Sequence, residues 1–183
     1  MGEGFVMSGK KTPQDKVKVM FVCMGNICRS PSAEAVFHYM AQTSALKDYI
    51  EVASSGTHDS HVGQPADARS HRAAMDRGID LSLHRAKHFK RNHFDEYDYI
   101  LVMDRSNYEH VMRLCPNGSQ DKVHYFLDFA PQLNVKEVPD PYYGGPKGFD
   151  HVLDLIEAAS TGLLSEIRDR FVDPPPVHPE INV

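Results

Sequence analysis

Residues 18–34 read KVMFVCMGNICRSPSAE, and this stretch predicts three successive elements. Its first part, Lys18–Val22, is a short apolar run of the kind that forms a buried strand. Proline is common in the first turn of a helix, so Pro31 indicates that a helix begins near Ser30. The segment Cys23–Arg29 between them contains a glycine and is predicted to be a tight loop that joins the strand to the helix.

The rest of the chain repeats this alternation of strands and helices. Apolar runs predict further strands at residues 50–54, 97–103 and 123–126. Helical patterns follow them at residues 65–77, 104–114 and 148–171, although Gly162 weakens the prediction that the last helix is unbroken. This order is typical of an α/β fold, in which helices cover both faces of a parallel sheet. Ligands in such folds bind beyond the carboxyl ends of the strands, which is where Cys23 follows the first strand.

The composition limits the function classes that need to be considered. The chain has 183 residues and a formal net charge of −5, which gives no basic surface for nucleic acid or an anionic membrane. No apolar run approaches the ~20 residues of a membrane span, and the N-terminal residues lack the apolar segment of a secretory signal. The three cysteines are too few for a disulfide framework, so a reducing, cytoplasmic setting is expected.

One domain is predicted between two tails. Residues 1–16 are rich in glycine and lysine and are predicted to be a flexible extension. Residues 173–183 carry Pro174, Pro175, Pro176 and Pro179 and are predicted to be a proline-rich tail. Residues 17–172 remain, and this length is sufficient for one domain with a hydrophobic core.

The loop Cys23–Arg29 has the chemistry of a phosphate site. A seven-residue loop between a strand and a helix can point successive backbone N–H groups into one concavity, and the helix N-terminus adds partial positive charge. Gly25 lets the backbone approach a ligand closely, and the planar guanidinium of Arg29 can hold two phosphate oxygens. The same surroundings stabilise a thiolate, so Cys23 is expected to be an ionised nucleophile. The loop therefore predicts hydrolysis of a phosphate ester without a metal or other cofactor.

Other side chains are expected to support this reaction. Ser30 can donate a hydrogen bond to the sulfur of Cys23, and Asn26 tolerates the positive φ of a tight loop. The leaving oxygen needs a proton that Cys23 cannot supply. Asp140 is the candidate donor, in the stiff segment VPDPYYGG at residues 138–145, although these residues are equally typical of a surface turn.

Two motifs resemble those of the low-molecular-weight protein tyrosine phosphatases. Residues 22–34 are similar to that family's signature, and DPYYG at residues 140–144 resembles its acid loop. Residues 54–57 and 102–107 resemble further family segments, so the resemblance spans about residues 17–170. It implies a four-stranded parallel sheet of order 2-1-3-4 with helices on both faces, a Rossmann-like phosphotyrosine phosphatase I fold. It also implies a cysteinyl-phosphate intermediate and no metal.

The resemblance assigns roles to individual positions. It implies that Cys23 is the nucleophile, that Arg29 holds the phosphate, and that Asp140 is the general acid and then the general base. The phosphate-binding loop would comprise Met24, Gly25, Asn26, Ile27, Cys28, Arg29 and Ser30. The residues that support the loop and the thiol would be Ser30, Asn26, Ser54 and His84. The substrate pocket would be lined by Met24, Tyr142 and Tyr143.

Two positions leave alternatives open. In the family, a second cysteine at the place of Cys28 can form a disulfide with Cys23 on oxidation, which would protect the thiolate. A small apolar loop residue is an equally good interpretation of Cys28. Residues 58–62 occupy the place where many relatives carry an aromatic residue over the substrate ring, and they contain no Trp or Tyr. Ring recognition would then depend on Met24 and the two tyrosines, and the preference among aryl substrates stays open.

The expected function is hydrolysis of phosphotyrosine in proteins, and of small aryl phosphates, by a monomer or weak dimer. Phosphoarginine phosphatases are near relatives, in which the resemblance places a threonine at the position of Ile27. Arsenate reductases share the scaffold but need further cysteines, and none lies between Cys28 and Cys115. A module that binds phosphate without turnover would usually lack the nucleophile, the arginine or the acid, and all three are present.

Overall fold

Four parallel strands form one sheet, β1 (Val17–Cys23), β2 (Ile50–Gly56), β3 (Tyr99–Val102) and β4 (Val123–Tyr125). They lie in the order β2-β1-β3-β4. The structure is a computed structural model that describes residues 9–172. The predicted sheet and its order 2-1-3-4 are confirmed. Strand β1 is buried at every residue except Lys18, because strands flank both of its edges and helices cover both of its faces.

Helices cover both faces of this sheet. Within residues 9–172 they are α1 (Arg29–Gln42), α2 (Ala68–Met75), α3 (His93–Glu96), α4 (Arg105–Leu114) and α5 (Pro146–Ile167). Successive side chains of a strand point to opposite faces. Phe21 of β1 therefore packs in the core under α1 and α5, while Val22 packs in the core under α3 and α4.

Several element boundaries differ from the predicted ones. Helix α2 begins after Asp67, because the Asp67 side chain accepts the N–H of Arg69 and so caps the helix there. Helix α5 begins at Pro146, which takes a position in the first turn where its missing N–H costs nothing. Strand β3 is shorter than predicted, and the short helix α3 just before it was not predicted.

Gly162 does not interrupt α5. A Cβ atom built at Gly162 would collide with the backbone carbonyl of Phe129. Phe129 ends a 3₁₀ turn over residues 126–129 that follows β4. The glycine therefore costs helix propensity but lets this turn pack directly against the helix backbone.

The predicted domain limits stay a prediction. Residues 1–8 and all of the predicted tail 173–183 lie outside the described residues. Within the predicted extension, the N–H of Lys11 donates to the carbonyl of Phe171 at 3.1 Å, and the Lys11 ammonium lies 3.5 Å from the Asp98 carboxylate. This part of the extension is held against the domain. No helix in residues 9–172 has the length and apolarity needed to cross a bilayer.

Candidate active site

The structure brings the predicted nucleophile, arginine and acid to one cavity at the carboxyl end of β1. This cavity has a volume of about 130 Å³. It is lined by Cys23, Met24, Gly25, Ile27, Cys28, Arg29, His61, Asp140, Tyr142 and Tyr143. Asn26 and Ser30, which belong to the predicted loop, hydrogen-bond to each other, and Ser54 and His84 hydrogen-bond to Asn26. The roles of these four residues in a reaction stay predictions.

The sulfur of Cys23 is surrounded by hydrogen-bonding groups. Its Sγ lies 3.0 Å from the hydroxyl of Ser30 and accepts the backbone N–H of Asn26 at 3.3 Å. The loop then runs directly into the N-terminus of α1, which begins at Arg29. The buried sulfur therefore lies among hydrogen-bond donors, close to the N-terminus of a helix.

Asn26 fixes the shape of the loop from the inside. Its backbone has a φ of 55°, in the left-handed region that asparagine tolerates better than most residues. The buried side chain donates from Nδ2 to the hydroxyls of Ser30 and Ser54, at 2.8 and 2.9 Å. Its Oδ1 accepts the N–H of Lys87 at 2.8 Å. Because both the nitrogen and the oxygen of this amide are hydrogen-bonded within the protein, the conformation of the loop is fixed without a bound substrate.

His84 and Glu34 extend this network away from the cavity. The Nε2 of His84 lies 2.7 Å from the carbonyl oxygen of Asn26, which can only accept, so the ring carries its proton on Nε2. Burial lowers the pKa of His84, partly opposed by this hydrogen bond and by the charge of Glu34. The ring is therefore neutral near pH 7. Glu34 in turn accepts the hydroxyl proton of Ser54.

The end of β2 braces the outer side of the loop. The N–H of Thr57 donates to the carbonyl of Cys23 at 2.9 Å, and the N–H of His58 donates to that of Met24 at 3.0 Å. A Cβ at Gly56 would lie 2.7 Å from the carbonyl oxygen of Met24. Glycine is therefore required at Gly56, because any side chain would push the strand away from the loop.

Arg29 is buried among three groups that can carry negative charge. Its Nη1 donates to Asp104 at 2.5 Å and to the carbonyl of Val138 at 3.1 Å, while Nη2 lies 3.5 Å from Asp140. Burial alone would lower the pKa of Arg29, but Cys23, Asp104 and Asp140 raise it above the ordinary arginine value. The guanidinium is therefore charged and held in one orientation at the base of the cavity.

A family described as low molecular weight phosphotyrosine protein phosphatase matches residues 18–172. The chain belongs to this family. A low molecular weight protein-tyrosine-phosphatase of Streptomyces coelicolor is 39% identical over 84% of this chain and 94% of the relative. A low molecular weight phosphotyrosine protein phosphatase of Saccharomyces cerevisiae is 37% identical over 82% and 95%.

Solved structures agree with this assignment. A crystal structure of protein tyrosine phosphatase from Entamoeba histolytica, with Hepes in its active site, superposes with a TM-score of 0.81. The two chains are 38% identical, and the match covers 84% of this chain and 98% of the other. The resemblance stated from the sequence motifs is thereby confirmed, as is the fold that it implied.

Two residues of this phosphatase site were not found from the sequence. Asp104 accepts the N–H of Asn107 on Oδ1 at 2.8 Å, which caps α4, and uses Oδ2 for Arg29. Its position just after β3 was the available signal, because side chains at the carboxyl ends of parallel strands meet at one edge. His61 supplies a ring in the rim segment 58–62, although no Trp or Tyr lies there. The His61 Cδ2 lies 3.0 Å from where a Cβ on Gly25 would be.

The segment 139–145, which resembles the family's acid loop, is largely exposed. Asp140 accepts the N–H of Tyr142 on Oδ1 at 3.0 Å, and its Oδ2 is the oxygen that faces Arg29. Tyr142 and Tyr143 pack edge to face, with ring centroids 5.0 Å apart. Tyr143 is 91% exposed and Met24 is 43% exposed, so both extend from the rim towards solvent. These side chains form part of the rim of the cavity, and their contact with a substrate ring stays a prediction.

Cys28 is buried in a small apolar cluster at the wall of the cavity. It packs there with Ile27, Ala86 and Phe149. Burial raises the pKa of Cys28 to about 12, although a hydrogen bond with Ser70 acts in the opposite direction. Cys28 is therefore an un-ionised thiol near pH 7. In the part of the chain that the structure covers, no three His, Cys, Asp or Glu side chains converge to hold a metal ion.

Proposed function

We propose that this chain hydrolyses phosphotyrosine in proteins, and small aryl phosphates, through a cysteinyl-phosphate on Cys23. The observation that carries the proposal is that Cys23, Arg29 and Asp140 line one cavity whose rim is aromatic. The relatives in Streptomyces coelicolor and Saccharomyces cerevisiae are named as phosphatases of protein tyrosine and of phosphotyrosine protein, which supports the same substrate class.

Hydrolysis proceeds in two displacements at phosphorus. The phosphate oxygens bind the loop N–H groups and the Arg29 guanidinium, while the Cys23 thiolate attacks phosphorus and the bond to the phenolic oxygen breaks. Asp140 donates its proton to that oxygen. Water then attacks the cysteinyl-phosphate and gives its proton to the Asp140 carboxylate. The phosphorus–sulfur bond breaks, and the Ser30 hydroxyl stabilises the departing thiolate at the 3.0 Å distance seen here.

Ile27 favours phosphotyrosine over phosphoarginine as the substrate. Its apolar side chain lines the cavity and offers no hydroxyl to an N-linked phosphate. With peptides of one sequence, we expect kcat/KM to be about 10²-fold higher for phosphotyrosine than for phosphoarginine. Ile27→Thr should narrow this ratio. Faster turnover of the phosphoarginine peptide by the unmodified chain would contradict the proposal.

The same assay separates the remaining alternatives. Tight binding of both peptides without release of phosphate would indicate a binding module. Oxidation of thioredoxin that depends on arsenate would indicate an arsenate reductase. Release of phosphate from the phosphotyrosine peptide by reduced protein, without added metal, supports the proposed phosphatase.

We also propose that Cys28 protects the nucleophile. A peroxide oxidises the Cys23 thiolate to a sulfenic acid, and the Cys28 sulfur then attacks it, so that a disulfide forms and water leaves. Because the pKa of Cys28 is about 12, the disulfide should form faster as the pH rises above 7. After a pulse of peroxide and then a thiol reductant, the unmodified chain should recover more activity than Cys28→Ser.

Cys115→Ser is the matched control for this test, because Cys115 lies at the C-terminal end of α4. It should recover as the unmodified chain does. If Cys28→Ser recovers as much activity as the unmodified chain, Cys28 does not protect the nucleophile. Its role would then be packing with Ile27 and Phe149.

The cellular setting follows from the same chemistry. All three cysteines are free, and the proposed mechanism needs a reduced thiol, which supports a reducing, cytoplasmic location. The proposed partner is a phosphotyrosine-bearing protein. A monomer or weak dimer, and no nucleic-acid partner, stay predictions that light scattering and a binding assay would test.

A further inference from the structure

Asp67 joins the phosphate loop to a neighbouring arginine. The N–H of Asp67 donates to the carbonyl of Ile27, inside the loop, at 2.7 Å. The Asp67 carboxylate accepts Nε of Arg69 at 3.0 Å on one oxygen and Nη2 at 2.9 Å on the other. This two-point pairing of a carboxylate with a guanidinium fixes the plane of the arginine. Arg69 is thus held in a set orientation relative to the loop.

The remaining nitrogen of Arg69 reaches the acid loop. Its Nη1 donates to the carbonyl of Tyr142 at 2.8 Å. The guanidinium carbon also lies 5.1 Å from the centroid of the Tyr142 ring and 4.8 Å from that of Phe149, which is buried at the start of α5. Each of the three guanidinium nitrogens therefore has a partner, and two aromatic rings lie near the group.

Few other contacts fix the acid loop. From Pro139 to Gly145 only Pro141 is buried, and Gly144 and Gly145 give the backbone freedom at the end of the segment. Asp140 itself accepts the N–H of Tyr142. The carbonyl of Tyr142 is thus held by Arg69, while its N–H holds the carboxylate of Asp140. A shift of Tyr142 would move the carboxylate directly.

We propose that Arg69 is a positioning residue that sets the place of the Asp140 carboxyl over the phosphate loop. The inference rests on the proposed role of Asp140 as the acid. Proton donation by a placed side chain contributes about 10²–10⁴-fold to a rate, and a displacement of ~1 Å can cost about 10²-fold. A variant that weakens the hydrogen bonds from Asp67 to Arg69 and from Arg69 to Tyr142 should therefore lose part of the rate enhancement that proton donation by Asp140 provides.

The leaving group provides the readout. Phenolate departs poorly without a proton, whereas p-nitrophenolate departs well. For Arg69→Gln we expect kcat/KM to fall by about 10- to 30-fold on phenyl phosphate and by less than about threefold on p-nitrophenyl phosphate. Arg69→Lys keeps the positive charge but loses the planar guanidinium. Its kcat/KM on phenyl phosphate should lie between that of Arg69→Gln and that of the unmodified chain. If Arg69→Gln does not fold, the same comparison of the two substrates is made with Arg69→Lys, for which a smaller loss of kcat/KM is expected.

Two comparisons complete the design. Arg72→Gln changes an exposed arginine one turn further along α2 and should leave both substrates unaffected. Asp140→Asn defines the full loss that the acid can cause. The double variant Arg69→Gln/Asp140→Asn should be no slower than Asp140→Asn alone, because one residue acts through the other.

Each result distinguishes positioning from general damage. Equal losses on the two substrates, or losses that multiply in the double variant, would overturn the inference. Slower alkylation of Cys23 by iodoacetate in Arg69→Gln would do the same, because the phosphate loop itself would then be disturbed. If Asp140→Asn shows no dependence on the leaving group, the acid role fails and the inference falls with it. If Asp140→Asn shows that dependence and Arg69→Gln does not, only the inference falls.

Discussion

Cys23→Ser is expected to lower the rate of aryl phosphate hydrolysis by at least about 10⁴-fold. A serine hydroxyl can keep the contacts that Cys23 makes with Ser30 and with the N–H of Asn26, at 3.0 and 3.3 Å in the present structure. It does not ionise near pH 7, so the loop would hold a phosphate without attacking it. The measurement is single-turnover release of phosphate, together with binding of a phosphotyrosine peptide.

Cys115→Ser is the control for that variant, since it removes a thiol that is only partly buried and lies outside the loop. It should keep the activity of the unmodified chain. Substantial turnover by Cys23→Ser would exclude the cysteinyl-phosphate. If the variant instead binds phosphotyrosine and does not release phosphate, it can capture the physiological substrate from a lysate.

Arg29→Lys is expected to lower kcat/KM by about 10²–10³-fold. The arginine is 3% exposed and uses two nitrogens at once for Asp104, Val138 and Asp140. A lysine ammonium cannot reproduce that fork, so both the bidentate grip on phosphate and the fixed orientation are lost. Because lysine cannot fully replace the hydrogen bond that Arg29 donates to Asp104, the free energy of unfolding should also fall, by about 1–2 kcal/mol.

Arg105→Lys provides a matched comparison for this change. Arg105 pairs with Glu109 at the surface, with a side chain that is 79% exposed, and surface pairs contribute little. Its kcat/KM and its urea midpoint should stay close to those of the unmodified chain. Near-normal turnover by Arg29→Lys would show that a point charge suffices and that the planar fork is dispensable.

The fold could be predicted from the sequence because its signals are local. The run Lys18–Val22 and the helix start at Pro31 each depend on neighbouring residues, and the alternation of such segments predicts a parallel sheet. The ends of elements depend on distant partners instead. Tyr97 looks like part of β3 in sequence, but the paired strand begins only at Tyr99, which lies opposite Val19 of β1.

The site was predicted in part, because only some of its residues lie close together in the sequence. The loop is contiguous, so its cysteine, glycine and arginine could be recognised together. Asp140 in isolation was equally consistent with a turn, and only the family motif favoured a catalytic role. Asp104 was missed because its pairing with Arg29 joins the N-terminus of α1 to a residue 75 positions away along the chain. His61 was missed because a histidine in a polar loop carries no local sign that its ring faces a cavity.

The surroundings of Arg29 have a consequence for how substrate enters. Cys23, Asp104 and Asp140 together can carry more negative charge than one guanidinium balances, and each of them acts on its pKa. A phosphate dianion adds two further charges in the same small space. In the proposed mechanism Asp140 brings a proton to the reaction, which lowers this excess of negative charge by one. The proton that the proposed mechanism passes to the phenol would thus also reduce the repulsion that the entering phosphate meets.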